Sequence, residues 1–169
     1  MSILNRMLAR GTVVLARASS KMQALQMHLT AGEIKDDMEH FEPYGFTSNP
    51  LPGAEGIAAF IGGDRSHGLL LVVADRRYRL NALQSGEVAI YTDEGDRIHL
   101  KRGKVIDIET NTLNVKAAVA VNFDTPQITQ TGKIVSRGDQ VAGGISQISH
   151  THGGVQGGNG QSGPPVGGA

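Results

Sequence analysis

The chain lacks cysteine and tryptophan, and it is poor in aromatic residues of every kind. With no cysteine among its 169 residues, disulfides, thiolate metal sites and cysteine nucleophiles are excluded. Aromatic residues make up only 4% of the sequence, although a compact core normally draws much of its buried area from them. We therefore expect this protein to bury surface through small and β-branched side chains, over a long thin contact, or between chains.

The sequence also lacks an excess of charge and a long apolar run. Lysine plus arginine and aspartate plus glutamate both number 16, so no global field indicates nucleic acid or an anionic membrane as a partner. The longest apolar run, 69-LLLVVA-74, is far shorter than the roughly 20 residues of a membrane-spanning helix. The N-terminus has no continuous signal-peptide core. These features predict a soluble protein made in the cytoplasm.

Residues 1–95 have the pattern of a compact β domain. Period-two or fully apolar strand patterns occur at 11–19, 23–29, 57–61 and 68–74. Residues 42–56 are dense in proline, glycine and asparagine and predict a loop. A short antiparallel sheet of five or six strands in this length fits a small closed barrel, of which the five-stranded oligomer-binding (OB) fold is the commonest.

Residues 96–149 change character, because apolar and polar residues alternate along a thin ribbon. Ile106 and Ile108 alternate with acidic residues, and an unbroken apolar face follows in 113–123. Strand formers are abundant and helix formers scarce. Half of an ordinary β-sandwich is one interpretation. A lone ribbon, however, has nothing of its own to cover that face, so the favoured hypothesis is that copies of the same chain cover it. The predicted core of that oligomer is Leu113, Val115, Val119, Val121 and Phe123.

Residues 150–169 are rich in glycine and begin with two histidines, His150 and His152. A tail of this composition is typical of a flexible terminus, but in an extended chain the two histidines project from one face. Two imidazoles make a poor metal site, whereas three chains around an axis would supply six. An all-imidazole, six-coordinate shell favours iron, with nickel and zinc behind. Such a closed shell would be a structural clamp rather than a catalytic metal.

Several motifs of this chain recur together in one protein family. They are the loop 44-YGFTSNPLPGAEG-56, the adjoining 62-GGDRSH-67 and 75-DRRYR-79, and the terminal 149-SHTHGG-154. With the barrel pattern and the alternating stretch, they closely resemble the central spike, or baseplate assembly protein, of Mu-like contractile-tailed bacteriophages. The resemblance covers essentially the whole chain. It implies an all-β homotrimer with an OB-fold collar (1–95), an intertwined triple-stranded β-helix needle (96–149) and a small metal-binding apex (150–169).

The resemblance also implies a function, partners and ligands. The trimer would belong to the virion tail, sit on hub or tube proteins of the baseplate, and be driven through the host outer membrane when the sheath contracts. His150 and His152 of three subunits would hold one iron ion. Calcium and chloride are further ligands implied at the apex, with Asp139 as the candidate calcium ligand.

An enzyme is the first rival class of function. Two carboxylate pairs, Asp36 with Glu39 and Asp93 with Glu94, lie in predicted polar loops without a recognisable pocket-forming frame. The glycines of 53-GAEG-56 are not followed by the lysine of a phosphate-binding loop. We therefore expect no enzymatic activity.

The second rival is a nucleic-acid- or ligand-binding OB-fold module with a flexible glycine-rich tail. Arg76, Arg77 and Arg79 supply positive charge, but single-strand binding usually needs several aromatic platforms, and only Tyr78 lies in this cluster. We expect these arginines to contact carboxylates of a neighbouring subunit or of the hub instead. The sequence thus predicts no nucleic-acid partner.

Overall fold

A closed five-stranded barrel occupies the first part of the chain. The computed structural model describes residues 7–154 and residue 158, and it divides into two compact units, Met1–Val115 and Lys116–Ala169. The barrel strands belong to the first unit and are β1 (Leu8–Arg17), β2 (Ala24–Leu29), β3 (Ile34–His40), β4 (Glu55–Phe60) and β5 (Gly68–Ala74). Short 3-10 turns occur at Thr30–Gly32 and Ile61–Gly63. The strands close in the order β1-β2-β3-β5-β4, so the predicted all-β class and closed barrel are confirmed.

Aliphatic and sulfur-containing side chains fill the barrel, as expected for a chain with few aromatics. The buried core consists of Val13, Leu25, Met27, Leu29, Met38, Ala54, Ala58, Phe60 and Leu70. Phe60 is fully buried. Close packing leaves no room at Gly68, where an added Cβ would lie 2.7 Å from Met38 Cε and 2.8 Å from Phe60 Cε1. The glycine is therefore required by the side chains that face it.

Two features of the barrel differ from the sequence prediction. β3 was not predicted, and the predicted antiparallel sheet contains one parallel pair, in which Glu39 and His40 of β3 lie opposite Leu69 and Leu70 of β5. β3 escapes a pattern search because most of its seven residues, IKDDMEH, are polar. The parallel pairing follows from closure, since β4 pairs antiparallel with both β1 and β5 and leaves β5 to meet β3.

A second, three-stranded antiparallel sheet follows the barrel in the first unit. It consists of β6 (Val88–Tyr91), β7 (Arg97–Lys101) and β8 (Val105–Glu109), in that order. The predicted boundary between residues 95 and 96 falls in the turn that joins β6 to β7. The three predicted domain limits stay predictions.

The described residues of the second unit contain one short hairpin, β9 (Val141–Ala142) and β10 (Ile145–Ser146). Gly143 and Gly144 join the strands with φ angles of 58° and 82°, the left-handed pair that a two-residue hairpin turn requires. Between β8 and β9 the single chain forms no strand ladder in the described residues. No helix among the described residues is long and apolar enough to cross a membrane.

Candidate functional site

One face of the three-stranded sheet is entirely aliphatic. The strand registers align two rows across it, Val88 with Leu100 and Ile106, and Ile90 with Ile98 and Ile108. These six side chains are between 40% and 62% exposed. Alternation along each strand brings them to the same side. The result is a contiguous apolar surface of the kind that in soluble proteins marks an interaction site.

The opposite face of the same sheet is polar and internally paired. Arg97 forms an ion pair with Glu109, and Lys101 lies 2.8 Å from Asp107. His99 Nε2 lies 3.1 Å from Glu87 Oε2. Hydrogen bonds from backbone N–H groups, foremost that of Arg102, hold the pKa of Glu87 below its usual value. Such pairs add little stability at a surface, but they satisfy the charges of this face.

The predicted oligomer core is also exposed in the single chain. The exposed fractions are 62% for Leu113, 66% for Val115, 98% for Val119, 50% for Val121 and 71% for Phe123. Their burial between copies stays a prediction. Their exposure matches the premise that the ribbon has no cover of its own among the described residues.

A six-residue repeat of bends follows in the second unit and was missed by sequence reasoning. The chain bends at 125–126, 131–132 and 137–138 and turns at 143–144, each six residues after the one before. Two equivalent bends carry the same bond, with Gln130 Nε2 donating to Gly132 O at 2.9 Å and Ser136 Oγ to Gly138 O at 2.7 Å. The signal is visible in the sequence as proline or glycine at positions 126, 132, 138 and 144.

The histidine pair follows the β9–β10 hairpin, and we call residues 139–152 the histidine hairpin. The rings of His150 and His152 lie with centroids 5.0 Å apart and an interplanar angle of 77°, and both side chains are exposed. His150 Nδ1 lies 2.7 Å from the carbonyl oxygen of Ser146. The structure therefore brings the two predicted metal ligands of one chain side by side.

One chain supplies too few ligands for a metal ion by itself. Within the described residues, no group of three or more histidine, aspartate or glutamate side chains is placed to hold one. Asp139, the predicted calcium ligand, accepts a hydrogen bond at 3.1 Å from the backbone N–H of Ile148. Hydrogen bonding, foremost from Ser146, holds the pKa of Asp139 below its usual value. The imidazole pair fits a site completed by other copies, and the calcium role stays a prediction.

The four remaining histidines have ordinary environments. His28 and His67 are exposed, and His99 pairs with Glu87 as described. His40 is buried, with Nδ1 3.0 Å from Gln23 Oε1, and burial holds its pKa below the usual value. His28, His40 and His67 thus occupy surface or hydrogen-bonded barrel positions, as predicted, whereas His99 lies on β7 of the second sheet, outside the barrel.

The carboxylate pairs weighed for catalysis have structural surroundings. Asp36 and Glu39 lie on β3 rather than in a loop, which corrects the prediction. Both Asp36 oxygens accept hydrogen bonds from Arg17 at 2.9 Å, which holds the pKa of Asp36 low. Asp93 and Glu94 lie in the turn between β6 and β7, as predicted.

A groove of about 650 Å³ gathers most of the chain's aromatic residues. Its lining includes Phe41, Phe46, Tyr78 and Tyr91. Each of them is at least 39% exposed. Tyr44, on the loop that carries Phe41 and Phe46, is fully exposed. The Glu42 carboxylate fixes this loop by accepting the backbone N–H of Ser48 at 2.6 Å. Four of the seven phenylalanines and tyrosines of the chain thus line one groove.

Arginines flank a smaller cleft of about 340 Å³ beside this groove. Arg10, Arg76 and Arg79 line it, and Arg10 and Arg76 both pair with Glu55. Arg77 pairs with Asp75 at 2.6 Å. The contacts predicted for Arg76, Arg77 and Arg79 with other chains stay predictions. Arg76 and Arg77 also have partners within the chain.

Two family models match this chain, one over the barrel and one over the histidine pair. A family model described as Bacteriophage Mu Gp45, N-terminal, matches residues 10–77, and one described as GpV Apex motif matches residues 144–166. The chain is 36% identical over 169 residues to the baseplate puncturing device gp45 of Escherichia phage Mu, covering 90% of this chain and 86% of that protein. The chain belongs to the phage Mu Gp45 family.

A second relative extends the comparison to a prophage. The Gp45-family chain is 34% identical over 161 residues to the Mu-like prophage FluMu protein gp45 of Haemophilus influenzae, covering 88% of this chain and 87% of that protein. The first family model spans the barrel from β1 to just past β5. The second spans β10 and both histidines of the pair. The resemblance predicted from the sequence motifs is confirmed.

Proposed function

We propose that this protein is a structural spike of the phage tail baseplate, a homotrimer that pierces the host cell envelope when the tail contracts. The Mu relative is named as a baseplate puncturing device, and the two proteins align over most of both chains. A device of this kind must transmit force rather than turn over a substrate, so we also propose that it has no enzymatic activity. Its location is the virion tail.

The main observation in support of the proposed trimer is the aliphatic face of the β6–β8 sheet. Six exposed aliphatic side chains lie on one face and paired charges on the other. Closed symmetry would bury the aliphatic faces on an axis and leave the polar faces in water, at about 25 cal/mol gained per Å² of apolar area buried. Two copies would also cover the face. Three are favoured because two histidines per chain then complete a six-coordinate shell.

The repeat of bends supports an intertwined β-helix as the needle. A short repeat cannot bury its apolar side chains alone and must stack against neighbouring repeats or chains. Ile128 and Ile134 occupy the same position, three residues after the start of successive bends, and both are 64% exposed. Winding of three chains with this six-residue period would bring both isoleucines to the axis, together with the apolar face of 113–123.

The histidine pair is the proposed metal clamp of this needle. His150 and His152 of three chains would hold one iron ion per trimer, with nickel and zinc as the competing metals. The paired, exposed imidazoles and the match to the apex motif support this assignment. Calcium and chloride are further proposed ligands of the apex, and Asp139 is the candidate for calcium. A filled shell would cross-link three chain ends that have few apolar side chains.

The aromatic groove is the proposed seat of the barrel on a hub or tail-tube protein. Exposed aromatic side chains on a well-ordered loop are the usual anchors of a protein interface. The neighbouring arginines favour a partner segment that carries carboxylates. Replacing Phe41 and Phe46, which both line the groove, with serine should leave the trimer intact but reduce incorporation into assembled baseplates. Ile34→Ser, which removes an equally exposed apolar side chain outside the groove, should have no effect.

A nucleic-acid-binding barrel is the alternative function. Tyr91 lines the arginine cleft, so more than one aromatic ring lies near these arginines. Single-stranded DNA binding would require guanidinium groups free to contact phosphates, whereas Glu55 and Asp75 already engage Arg10, Arg76 and Arg77. Filter binding across a salt series separates the two functions. Salt-dependent retention of DNA would favour the alternative over the spike.

The trimer is tested by native mass and by charge placed on the aliphatic face. Ile98→Asp with Ile108→Asp should convert a three-chain mass into a single-chain mass at micromolar concentration. The control is Ile34→Asp, which alters a 62% exposed isoleucine of the barrel and should keep the trimer. A single-chain mass for the wild type, or a trimer that persists in the double variant, would contradict the proposal.

A further inference from the structure

A hydrogen-bond network links Asp139 to His150 across the histidine hairpin. The backbone N–H of Ile148 lies 3.1 Å from Asp139 Oδ1 and 3.1 Å from Ser146 Oγ, so the two side chains share one donor. Ser146 Oγ also lies 2.9 Å from the backbone nitrogen of Ser149 and 2.9 Å from the Ser149 hydroxyl. These bonds fix the turn that leads into the histidines.

The carbonyl of Ser146 determines which nitrogen of His150 carries the proton. A carbonyl oxygen can only accept a hydrogen bond, so the contact of 2.7 Å requires Nδ1 of His150 to be the donor. In a neutral imidazole Nε2 is then the unprotonated nitrogen, which is the form that binds a metal ion. The bond therefore sets the tautomer and the orientation of the ring together.

We propose that Asp139 and Ser146 are positioning residues for the metal clamp: they hold the Ser146 carbonyl against Nδ1 of His150 and so present Nε2 to the metal. This inference rests on the proposed clamp and adds the residues that prepare it within each chain. The edge-to-face contact of the two rings gives it a second effect, since fixing His150 also limits the orientations open to His152. The network lies wholly in residues 139–152 of one chain.

The test uses the full-length trimer in wild-type form and as Asp139→Ala and Ser146→Ala. Ser136→Ala is the matched control, because it removes a serine hydroxyl that is hydrogen-bonded within its own turn, to Gly138 O at 2.7 Å, outside this network. Each protein is loaded with ferrous iron, and its release to excess 2,2′-bipyridine is followed by absorbance. The second readout is the ¹⁵N spectrum of histidine-labelled, metal-free protein, which reports the tautomer of His150 directly.

The expected result is a faster loss of iron with the trimer intact. Outer-shell partners of a ligating histidine typically change metal affinity by about 10- to 100-fold, and release from both alanine variants should accelerate by a similar factor. Their spectra should show His150 as a mixture of tautomers, whereas wild type and Ser136→Ala show protonated Nδ1. Release rates and tautomers equal to wild type in both alanine variants would overturn the proposal.

Two further outcomes distinguish failure of the positioning proposal from failure of the proposed metal clamp. If wild type binds no iron, the clamp fails and the ¹⁵N spectra alone decide: loss of the Nδ1 tautomer in the variants supports positioning, and its retention refutes it. If the alanine variants do not assemble, Ser146→Thr replaces them, because it keeps the hydroxyl. Wild-type release from Ser146→Thr supports the proposal, and release altered by about the same factor as predicted for alanine overturns it.

Discussion

The barrel and the second unit use their apolar residues in opposite ways. In the barrel, Leu25, Met27 and Leu70 are fully buried around Phe60 within one chain. In the second unit, Val119 and Val135 are 98% and 87% exposed, and the described apolar residues have no comparable core. The sheet β6–β8 belongs to the first unit but shares this exposure on its aliphatic face.

The difference supports the proposed oligomer, because one chain suffices for the barrel core but leaves the described apolar residues of the second unit exposed. A closed barrel pairs every strand and buries a continuous core, so its stability depends on contacts made within the chain. A thin segment with exposed aliphatic residues gains stability only when another surface covers them. The barrel should therefore respond to substitutions as an ordinary domain, and the second unit as an interface.

The largest expected effect comes from charge in the proposed needle. Val121→Asp would place one carboxylate per copy, three in all, on a shared axis, and each unpaired buried charge costs several kcal/mol. We expect the trimer to dissociate, measured by native mass, while circular dichroism still shows the folded barrel. Val135→Asp is the control, because Val135 lies next to the repeating position of Ile134 but outside it and is 87% exposed. If Val135→Asp dissociates the trimer and Val121→Asp does not, the assignment of buried and exposed faces is wrong.

The next effect tests the barrel core. Phe60→Ala removes the largest fully buried side chain and should lower the free energy of unfolding by about 3–5 kcal/mol. Urea unfolding followed by circular dichroism measures the change, and the three-chain native mass should persist below the transition. If the trimer instead separates at the same urea concentration as the barrel unfolds, the two regions are not independent.

A smaller effect is expected from a methyl group at Gly68. Its Cβ would lie 2.7 Å from Met38 Cε and 2.8 Å from Phe60 Cε1, and overpacking of this kind typically costs about 1–3 kcal/mol. Thermal unfolding of Gly68→Ala should show this loss. The matched change Gly132→Ala, where no atom lies within 4 Å of the added Cβ in the single chain, should leave barrel unfolding unchanged. An equal effect on barrel stability from both variants would contradict the packing argument.

The smallest effect is the response to acid. The hydrogen bond from Arg17 holds the pKa of Asp36 below its usual value, and that from Arg77 does the same for Asp75. Stability from carboxylates with lowered folded pKa values is complete above their ordinary values of about 4 and is lost as pH falls through the folded values. Urea midpoints of the barrel should decline modestly below about pH 4. The aliphatic interface carries no titratable side chain, so the trimer mass should persist through that decline.

Much of the fold could be predicted because local patterns determine it. The apolar alternation of β1 and β2 and the apolar runs of β4 and β5 show in the sequence, as does the loop rich in proline and glycine. β3 does not, since only Met38 and His40 of its seven residues are buried. Its place in the barrel is set by pairing with β2 and β5, which are distant contacts that a local pattern does not record.

The candidate sites show the same division between features that follow from the local sequence and features that depend on the folded chain. The sequence by itself determined the family motifs, the apolar face of 113–123 and the two histidines, because side-chain chemistry and spacing are local properties. Only the tertiary structure decided that Val88, Leu100 and Ile106 form one row, and that Ser146 meets Nδ1 of His150. The rows depend on strand register, which is set by hydrogen bonds between separated stretches of backbone. The contact of Ser146 with His150 depends on the conformation of the turn at 147–149, which spacing alone does not determine.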